Sequence, residues 1–347
     1  MAITRIAYGV MNGKDVHAFI IENSQGAKAQ IIEKGATLEK LLVKDKNGDF
    51  IDVLVGHDTL DGHINRSDYQ GVVVGQYANR IKGGKFTIDG TEYNVTCNEK
   101  GITCLHGGGE YSSAHWNGEI ISDNAVKFTY LSPDGAEGFP GNVNVSATYT
   151  FTDDNRLIIE YKAVSDKKTV INLTNHAYFN LNGYDSGDVL DHTLKINADR
   201  YTPIDEVSIP TGELPSVTGT PFDFTVSKTI GRDIDADHPQ IKNGMGFDHN
   251  FCIADYDGKL KEIAVATGDR SGITMTVSTD LPGVQLYTGN FLDGSVVGKG
   301  GKPITKRSAF CLETQVYPDS PNHPEWHKCI YDADEEYHTV TEFAFSL

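Results

Sequence analysis

No stretch of this chain approaches the ~18 consecutive apolar residues of a membrane-spanning helix. Residues 1–13 lack the apolar run of a secretory signal. Basic residues are scarce: 30 Lys and Arg face 48 Asp and Glu, a net charge of −18. That imbalance argues against nucleic acid and against an anionic membrane as partners. It also does not suit a site that must draw in phosphate. There are five cysteines (Cys97, Cys104, Cys252, Cys311 and Cys329), an odd and widely spaced set with no C-x-x-C. A disulfide framework is thereby disfavoured, and reduced thiols in a cytoplasmic protein are expected. Four N-x-S/T sequons, at Asn65, Asn94, Asn144 and Asn172, carry no meaning without an export signal.

The common chemical motifs are missing as well. There is no G-x-G-x-x-G, no G-x-S-x-G and no H-E-x-x-H. Gly294 to Gly300 has glycines but not the spacing of a phosphate loop, and Gly300 follows Lys299 where Ser or Thr is needed; it reads as a flexible connection. His323 and His327 flank Pro324, which speaks against a metal-binding helix there. No segment sustains a 3.6-residue period, no internal repeat appears, and no shift in composition marks a domain boundary.

What is present is period-2 alternation and turns, with 36 glycines in 347 residues. Strands are expected over Val16–Glu22 and Ala29–Val43, with a bend at Gly35, and over Asp52–Gly56. Asp58 to Arg66 reads as a short helix capped by Asp58. A buried strand is expected at Gly71–Gly75, and a hairpin at Lys85–Asn94 about Asp89-Gly90. Further strands are Val126–Leu131, then Val143–Thr152 and Leu157–Val164, which form a hairpin about 153–155. Later ones are His192–Ala198, Glu262–Thr267, Ile273–Thr279, Val284–Thr288, Ala309–Val316 and Thr339–Phe345. Thr202–Asp223, rich in Pro and Gly, is expected on the surface. The whole, residues 1–347, reads as one all-β domain, a large antiparallel β-sandwich with very little helix.

The most polar of the strand-like stretches is Thr169–Gly183. It carries Asn172, Thr174, Asn175, His176 and Asn180 among β-branched and aromatic residues. Buried polar groups need partners. Either a ligand supplies them, or the histidine is satisfied inside a sandwich. Four other residues suggest chemistry. Arg80 follows a buried strand, and His106 precedes three glycines that would admit a ligand to the backbone. Asp248 lies in a loop, and Glu313 lies between apolar neighbours on a strand. Singly, Arg80 and Asp248 suit ion pairs and His106 a turn. Glu313 is less easily structural, because desolvation would raise its pKa toward that of a working base. Spacing also leaves open a metal held by two histidines and two carboxylates.

With these residues in view, the chain resembles the aldose 1-epimerase (galactose mutarotase) family. Seven motifs in order carry the resemblance: residues 75–81 (G-Q-Y-A-N-R-I), 105–108 (L-H-G-G), 134–142, 174–181 (T-N-H-A-Y-F-N-L), 246–249 (G-F-D-H), 285–291 (Q-L-Y-T-G-N-F), and 312–315 (L-E-T-Q) with 318–324. Ala177 and Thr314 are minor departures. The resemblance implies a mutarotase-like supersandwich with an open sugar cleft, and interconversion of the α and β anomers of galactose or glucose. By position, Glu313 matches the general base, His176 the general acid, and His106 a histidine near the ring oxygen. Asn79, Arg80, Tyr178, Asp248 and Gln285 match residues that line or bind the sugar. A small-molecule aldohexose is the expected partner of a monomer or weak homodimer, with no cofactor and no metal.

The chemistry this implies agrees with the inventory. A proton must leave the C1 hydroxyl while another reaches the ring oxygen; the ring opens, C1–C2 rotates, and the steps reverse. A carboxylate with an imidazolium is the expected working pair. The rivals are a non-catalytic sugar-binding module and a hexose-6-phosphate 1-epimerase; the latter would need a basic cluster that this chain does not display.

Overall fold

In the strand Arg156–Ser165 every second residue is buried, so Leu157, Ile159, Tyr161 and Ala163 face inward while their neighbours face out. The computed structural model describes residues 2–64 and 68–347. This strand lies inside a nine-stranded antiparallel sheet. Its order is Asn117–Ile120, Ala125–Ser132, Val143–Phe151, Arg156–Ser165, Glu336–Ser346, Thr274–Thr279, Lys261–Thr267, Thr193–Ile196 and Lys228–Thr229. A five-stranded meander runs from Ala2–Met11 through Lys14–Glu22, Lys28–Ile32 and Thr37–Lys44 to Phe50–Asp52. One apolar cluster draws on both sheets, with Phe19, Ile31 and Leu41 from the meander beside Phe128, Tyr149 and Phe343 from the larger sheet.

The third sheet positions the chemistry. It has four strands, in the order Ala198–Tyr201, Asp248–Ile253, Gly283–Tyr287 and Cys311–Gln315. The last three are buried along their whole length. Because side chains alternate, one face carries Phe251, Val284, Leu286 and Leu312 into the main core. The opposite face carries Asp248, Gln285, Cys311 and Glu313, with Gln285 directly opposite Glu313 in register. A wholly buried strand with one polar face is costly unless that face has work to do.

Helix is scarce: the described residues hold three short α-helices, Leu60–Ile64, Glu110–Ser113 and Pro239–Gly244, and otherwise only short 3₁₀ turns. None is long and apolar enough to cross a membrane.

Several expectations need correction. Thr169–Gly183 is not one strand. It breaks into three two-residue strands, Thr169–Val170, Thr174–Asn175 and Tyr178–Phe179, which pair with Ile330–Tyr331, Val73–Val74 and Leu54–Val55. Composition signals extended backbone but not its partner. The helix near Asp58 is capped by Thr59, whose Oγ1 accepts the Gly62 N–H at 3.2 Å; Asp58 instead accepts the N–H of Gly300. Arg66 and the sequon at Asn65 lie outside the described residues. The strand Ala2–Met11 was not expected, because its side chains are mostly exposed and show no alternation. Thr202–Asp223 forms no helix or strand, yet it buries Ile209, Val217 and Phe222. Nor does Lys299 sit in a free loop: it is buried, and its ammonium donates to Asp52 Oδ2 at 2.7 Å and to the carbonyl of Leu54 at 2.8 Å.

Candidate active site

The polar face of the four-stranded sheet forms one wall of a cleft of about 510 Å³. Asn79, Arg80, His106, His176, Tyr178, Asp248 and Glu313 all line it. Residues 234 positions apart, Asn79 and Glu313, thus meet at one opening. The volume suits a molecule of sugar size.

Arg80 and His106 come together because Arg80–Ile81 pairs with Cys104–Leu105, and Arg80 lies opposite Leu105. At the end of this ladder Asn79 and His106 both have left-handed backbones, with φ of 61° and 50°. The His106 N–H donates to the Asn79 carbonyl at 2.8 Å. In return the Asn79 N–H donates to Nδ1 of His106 at 3.2 Å. Nδ1 is therefore an acceptor, and the proton of the neutral ring resides on Nε2. Burial, then the neighbouring His176 and Arg80, holds His106 well below the usual imidazole pKa. It is a fixed hydrogen-bond donor, not a titrating acid. The next residue, Gly107, has φ of +63°, and a Cβ there would stand 2.2 Å from the carbonyl oxygen of Gly75; only glycine fits.

Arg80 is buried and makes a bidentate ion pair with Glu99, at 2.7 and 2.8 Å. Glu99 also accepts the Thr103 hydroxyl at 2.7 Å. This fixes the guanidinium as a planar donor on the cleft wall.

Nε2 of His176 lies 3.6 Å from Oε1 of Glu313, and its Nδ1 lies 3.5 Å from Sγ of Cys311. The ring stacks on Tyr178, with centroids 4.9 Å apart and planes at 18°, and Tyr178 is held by its hydroxyl, which donates to the Asp68 carbonyl at 3.0 Å. Burial pushes His176 down to about 4. Burial, and secondarily Asp248, pushes Glu313 well above the carboxylate range, while Arg80 opposes the shift. The expected imidazolium is therefore not the favoured resting form. Low polarity favours the neutral pair, with the shared proton on Glu313. Oε2 of Glu313 is buried without a hydrogen-bond partner among the described residues. An unpaired carboxyl oxygen of this kind is placed for a ligand hydroxyl.

Asp248 is the first residue of its strand and not part of a loop as expected. Gln285 does not line the cleft. It sits on the same face of the sheet, in register between Asn250 and Glu313, and its Nε2 donates to Asp248 Oδ1 at 2.7 Å. Its part is to orient that carboxylate. The amides of the central stretch are likewise internal: Asn172 accepts the Val316 N–H, Asn175 donates to the Gly71 carbonyl, and Asn180 donates to the carbonyls of Gly187 and Ser308. They clamp irregular backbone, and of that stretch only His176 and Tyr178 reach the cleft.

Sequence reasoning missed Tyr69, Glu99, Tyr287 and Cys311. Tyr69 packs edge-on against His106 at 4.6 Å, and Tyr287 packs edge-on against Tyr178 at 6.0 Å. Tyr287 lies within the 285–291 motif; Glu99, in a polar turn, carries no local signal. The ligand atoms of His106, His176 and Glu313 lie within 4.8 Å of one another, a spacing that could hold a cation. Asp248 is outside that group, so the imagined set of two histidines and two carboxylates is not formed.

The sequence profile of the family described as aldose 1-epimerase matches residues 17–344. The chain is 41% identical to galactose mutarotase of Homo sapiens over 350 residues, covering 100% of this chain and 99% of that one. It is 37% identical to aldose 1-epimerase of Escherichia coli K12 over 338 residues, 96% of each. Among solved structures, a galactose 1-epimerase from Lactobacillus acidophilus superposes with a TM-score of 0.87 at 26% identity, covering 99% of this chain and 98% of that one.

Proposed function

This chain belongs to the aldose 1-epimerase family, and from that premise we propose that it interconverts the α and β anomers of neutral aldohexoses, galactose and glucose foremost. The observation that carries the reading is the opposition of His176 Nε2 and Glu313 Oε1 at 3.6 Å on a buried cleft wall. One proton donor and one acceptor so placed can serve the ring oxygen and the C1 hydroxyl of one sugar, which are bonded to the same carbon.

In the opening direction Glu313 takes the C1 hydroxyl proton while His176 delivers a proton from Nε2 to the ring oxygen. The C1–O5 bond breaks and the C1 carbonyl forms. Rotation about C1–C2 presents the other face, and the two residues return their protons on closure. The pair holds one exchangeable proton throughout. Before opening it is on His176; afterwards it is on Glu313, the arrangement that burial favours. The sugar hydroxyl donating to Glu313, together with Arg80, supports the charged arrangement needed to begin. His106 offers a fixed Nε2–H to the ring-oxygen side, and Arg80 and Asp248 take sugar hydroxyls. Acid–base groups of this kind each contribute ~10²- to 10⁴-fold.

The cleft wall favours a neutral sugar over a 6-phosphate. It carries Asp68, Glu99, Glu206, Asp248 and Glu313 against Arg80 and Lys100, and Arg80 is already paired with Glu99. We read residues 1–347 as one catalytic unit, active as a monomer or weak homodimer, in a reaction that calls for no metal. Polarimetry on freshly dissolved α-D-galactose, with chelator-treated protein, tests the proposal. Faster approach to anomeric equilibrium supports it; an unchanged rate sinks it, and a rate restored only by metal would favour the cation reading of His106, His176 and Glu313.

A further inference from the structure

Cys311 precedes Glu313 by two residues, so the pleat of the strand puts thiol and carboxylate on the same face. Together they bracket one imidazole: Glu313 Oε1 faces Nε2 of His176 at 3.6 Å, and Cys311 Sγ faces Nδ1 at 3.5 Å. Among the described residues no other side chain hydrogen-bonds to Nδ1. The other group in reach is the residue's own carbonyl, which already accepts the Gly71 N–H at 2.9 Å. The carbonyl can only accept, and the thiol can accept as well as donate, so the carbonyl decides for a proton on Nδ1 and the sulfur is free to accept it.

We propose that Cys311 is a positioning residue whose sulfur accepts the Nδ1–H of His176, so that Nδ1 keeps its proton through the cycle and Nε2 alone exchanges one with the sugar. The inference rests on His176 being the proton carrier. It sets the two clustered histidines apart. His106 must accept at Nδ1 from the Asn79 backbone and so holds its proton on Nε2; His176 holds its fixed proton on the opposite nitrogen.

A thiol suits this place because sulfur is a weak acceptor. A carboxylate at Nδ1 would stabilise the imidazolium and make it a poorer acid toward the ring oxygen, itself a very weak base. An apolar side chain would leave Nδ1–H with only a shared carbonyl and free the ring to adopt the other tautomer. Burial keeps the Cys311 thiol well above its usual pKa, so it adds no second negative charge beside Glu313. The other titratable or charged groups facing His176 are Glu313, His106, Tyr69, Tyr178, Tyr287, Asp68 and Arg80.

The test pairs ¹⁵N NMR of histidine-labelled protein with polarimetry on the wild type, Cys311→Ser and Cys311→Ala. The neutral His176 of the wild type should carry its proton on Nδ1. Cys311→Ser, whose hydroxyl can accept, should keep kcat within about twofold; Cys311→Ala should lose about threefold to tenfold, the range of one hydrogen bond's net contribution, with KM unchanged. It should also show a mixed tautomer. A wild-type proton on Nε2, an alanine variant with full kcat, or a serine variant as impaired as alanine would each overturn the proposal, the last by assigning the effect to packing. His176→Asn separates the two levels of inference. If that variant retains kcat, the reading of His176 itself fails; if it is inactive while Cys311→Ala is not, only the role of Cys311 does.

Discussion

Oε1 of Glu313 and Nε2 of His176 stand 3.6 Å apart, each almost wholly excluded from solvent. Removing either group while keeping its shape should therefore stop the chemistry without emptying the site. Glu313→Gln is expected to lower kcat by about 10²- to 10⁴-fold with little change in KM, and His176→Asn should do the same. Polarimetric initial rates over a range of galactose concentrations give both constants. If Glu313→Gln kept most of its kcat, Asp248 would be the next base to examine.

The geometry of His106 depends on a backbone that only glycine permits. At Gly107 the positive φ and the 2.2 Å approach to the Gly75 carbonyl both exclude a side chain. Gly107→Ala combines backbone strain with overpacking, an expected loss of about 2–6 kcal/mol. Thermal denaturation measures it, with kcat falling as His106 is displaced. The neighbour Gly101 offers a control: a Cβ there meets nothing within 4 Å, so Gly101→Ala should pay only the cost of its positive φ. Equal losses at the two positions would contradict the steric argument.

How far the sequence disclosed this site depends on the range of each interaction. Glu313 was legible because a carboxylate between apolar neighbours on a strand is anomalous wherever the strand lies. Arg80 and His106 were legible as polar residues at a strand end and a glycine turn. Glu99 was not, since its partnership with Arg80 is made across a turn without periodic pattern. Cys311 was read only as a reduced thiol, because its importance depends on His176, 135 positions away. The asparagines left two readings open for a chemical reason: an amide that holds a backbone carbonyl looks the same in sequence as one that holds a ligand. Gln285 matches a sugar-binding position by resemblance; the register sets it beside Glu313 on the same face, and its amide holds Asp248, a partnership 37 positions apart that no local pattern shows. The strands followed from period 2, but pairing across 90 or more residues did not, which is why Thr169–Gly183 read as one strand.

Charge around the cleft leads to a substrate prediction. A phosphate on C6 would enter a wall with five carboxyl side chains and only Lys100 as an uncommitted cation. Like charges in a partly desolvated site repel strongly. Glucose should therefore show a kcat/KM at least about tenfold above that of glucose 6-phosphate, a difference of roughly 1.4 kcal/mol. Competition kinetics followed by polarimetry decides it. Parity between the two sugars would mean that Lys100 or another cation reaches the phosphate.

The same pair of residues fixes how activity depends on pH. Catalysis needs one exchangeable proton on the pair: with two there is no base, and with none there is no acid. A second proton enters when His176 is protonated beside an already neutral Glu313, and burial has pushed that event down to about 4. The acid limb of kcat/KM should thus lie near 4, well below the ~6.5 of an unperturbed histidine. The last proton leaves as Glu313 ionises, and burial has moved that event well above the ordinary carboxylate range. The profile should be a broad bell whose two limits belong to the pair as a whole. In Glu313→Gln the alkaline limb loses its origin, and whatever activity remains should need a protonated His176. Its residual rate should then fall as pH rises through a single ionisation. An acid limb found near 6.5 in the wild type would show that His176 is solvated in the working enzyme, and the desolvated pair described here would have to be abandoned.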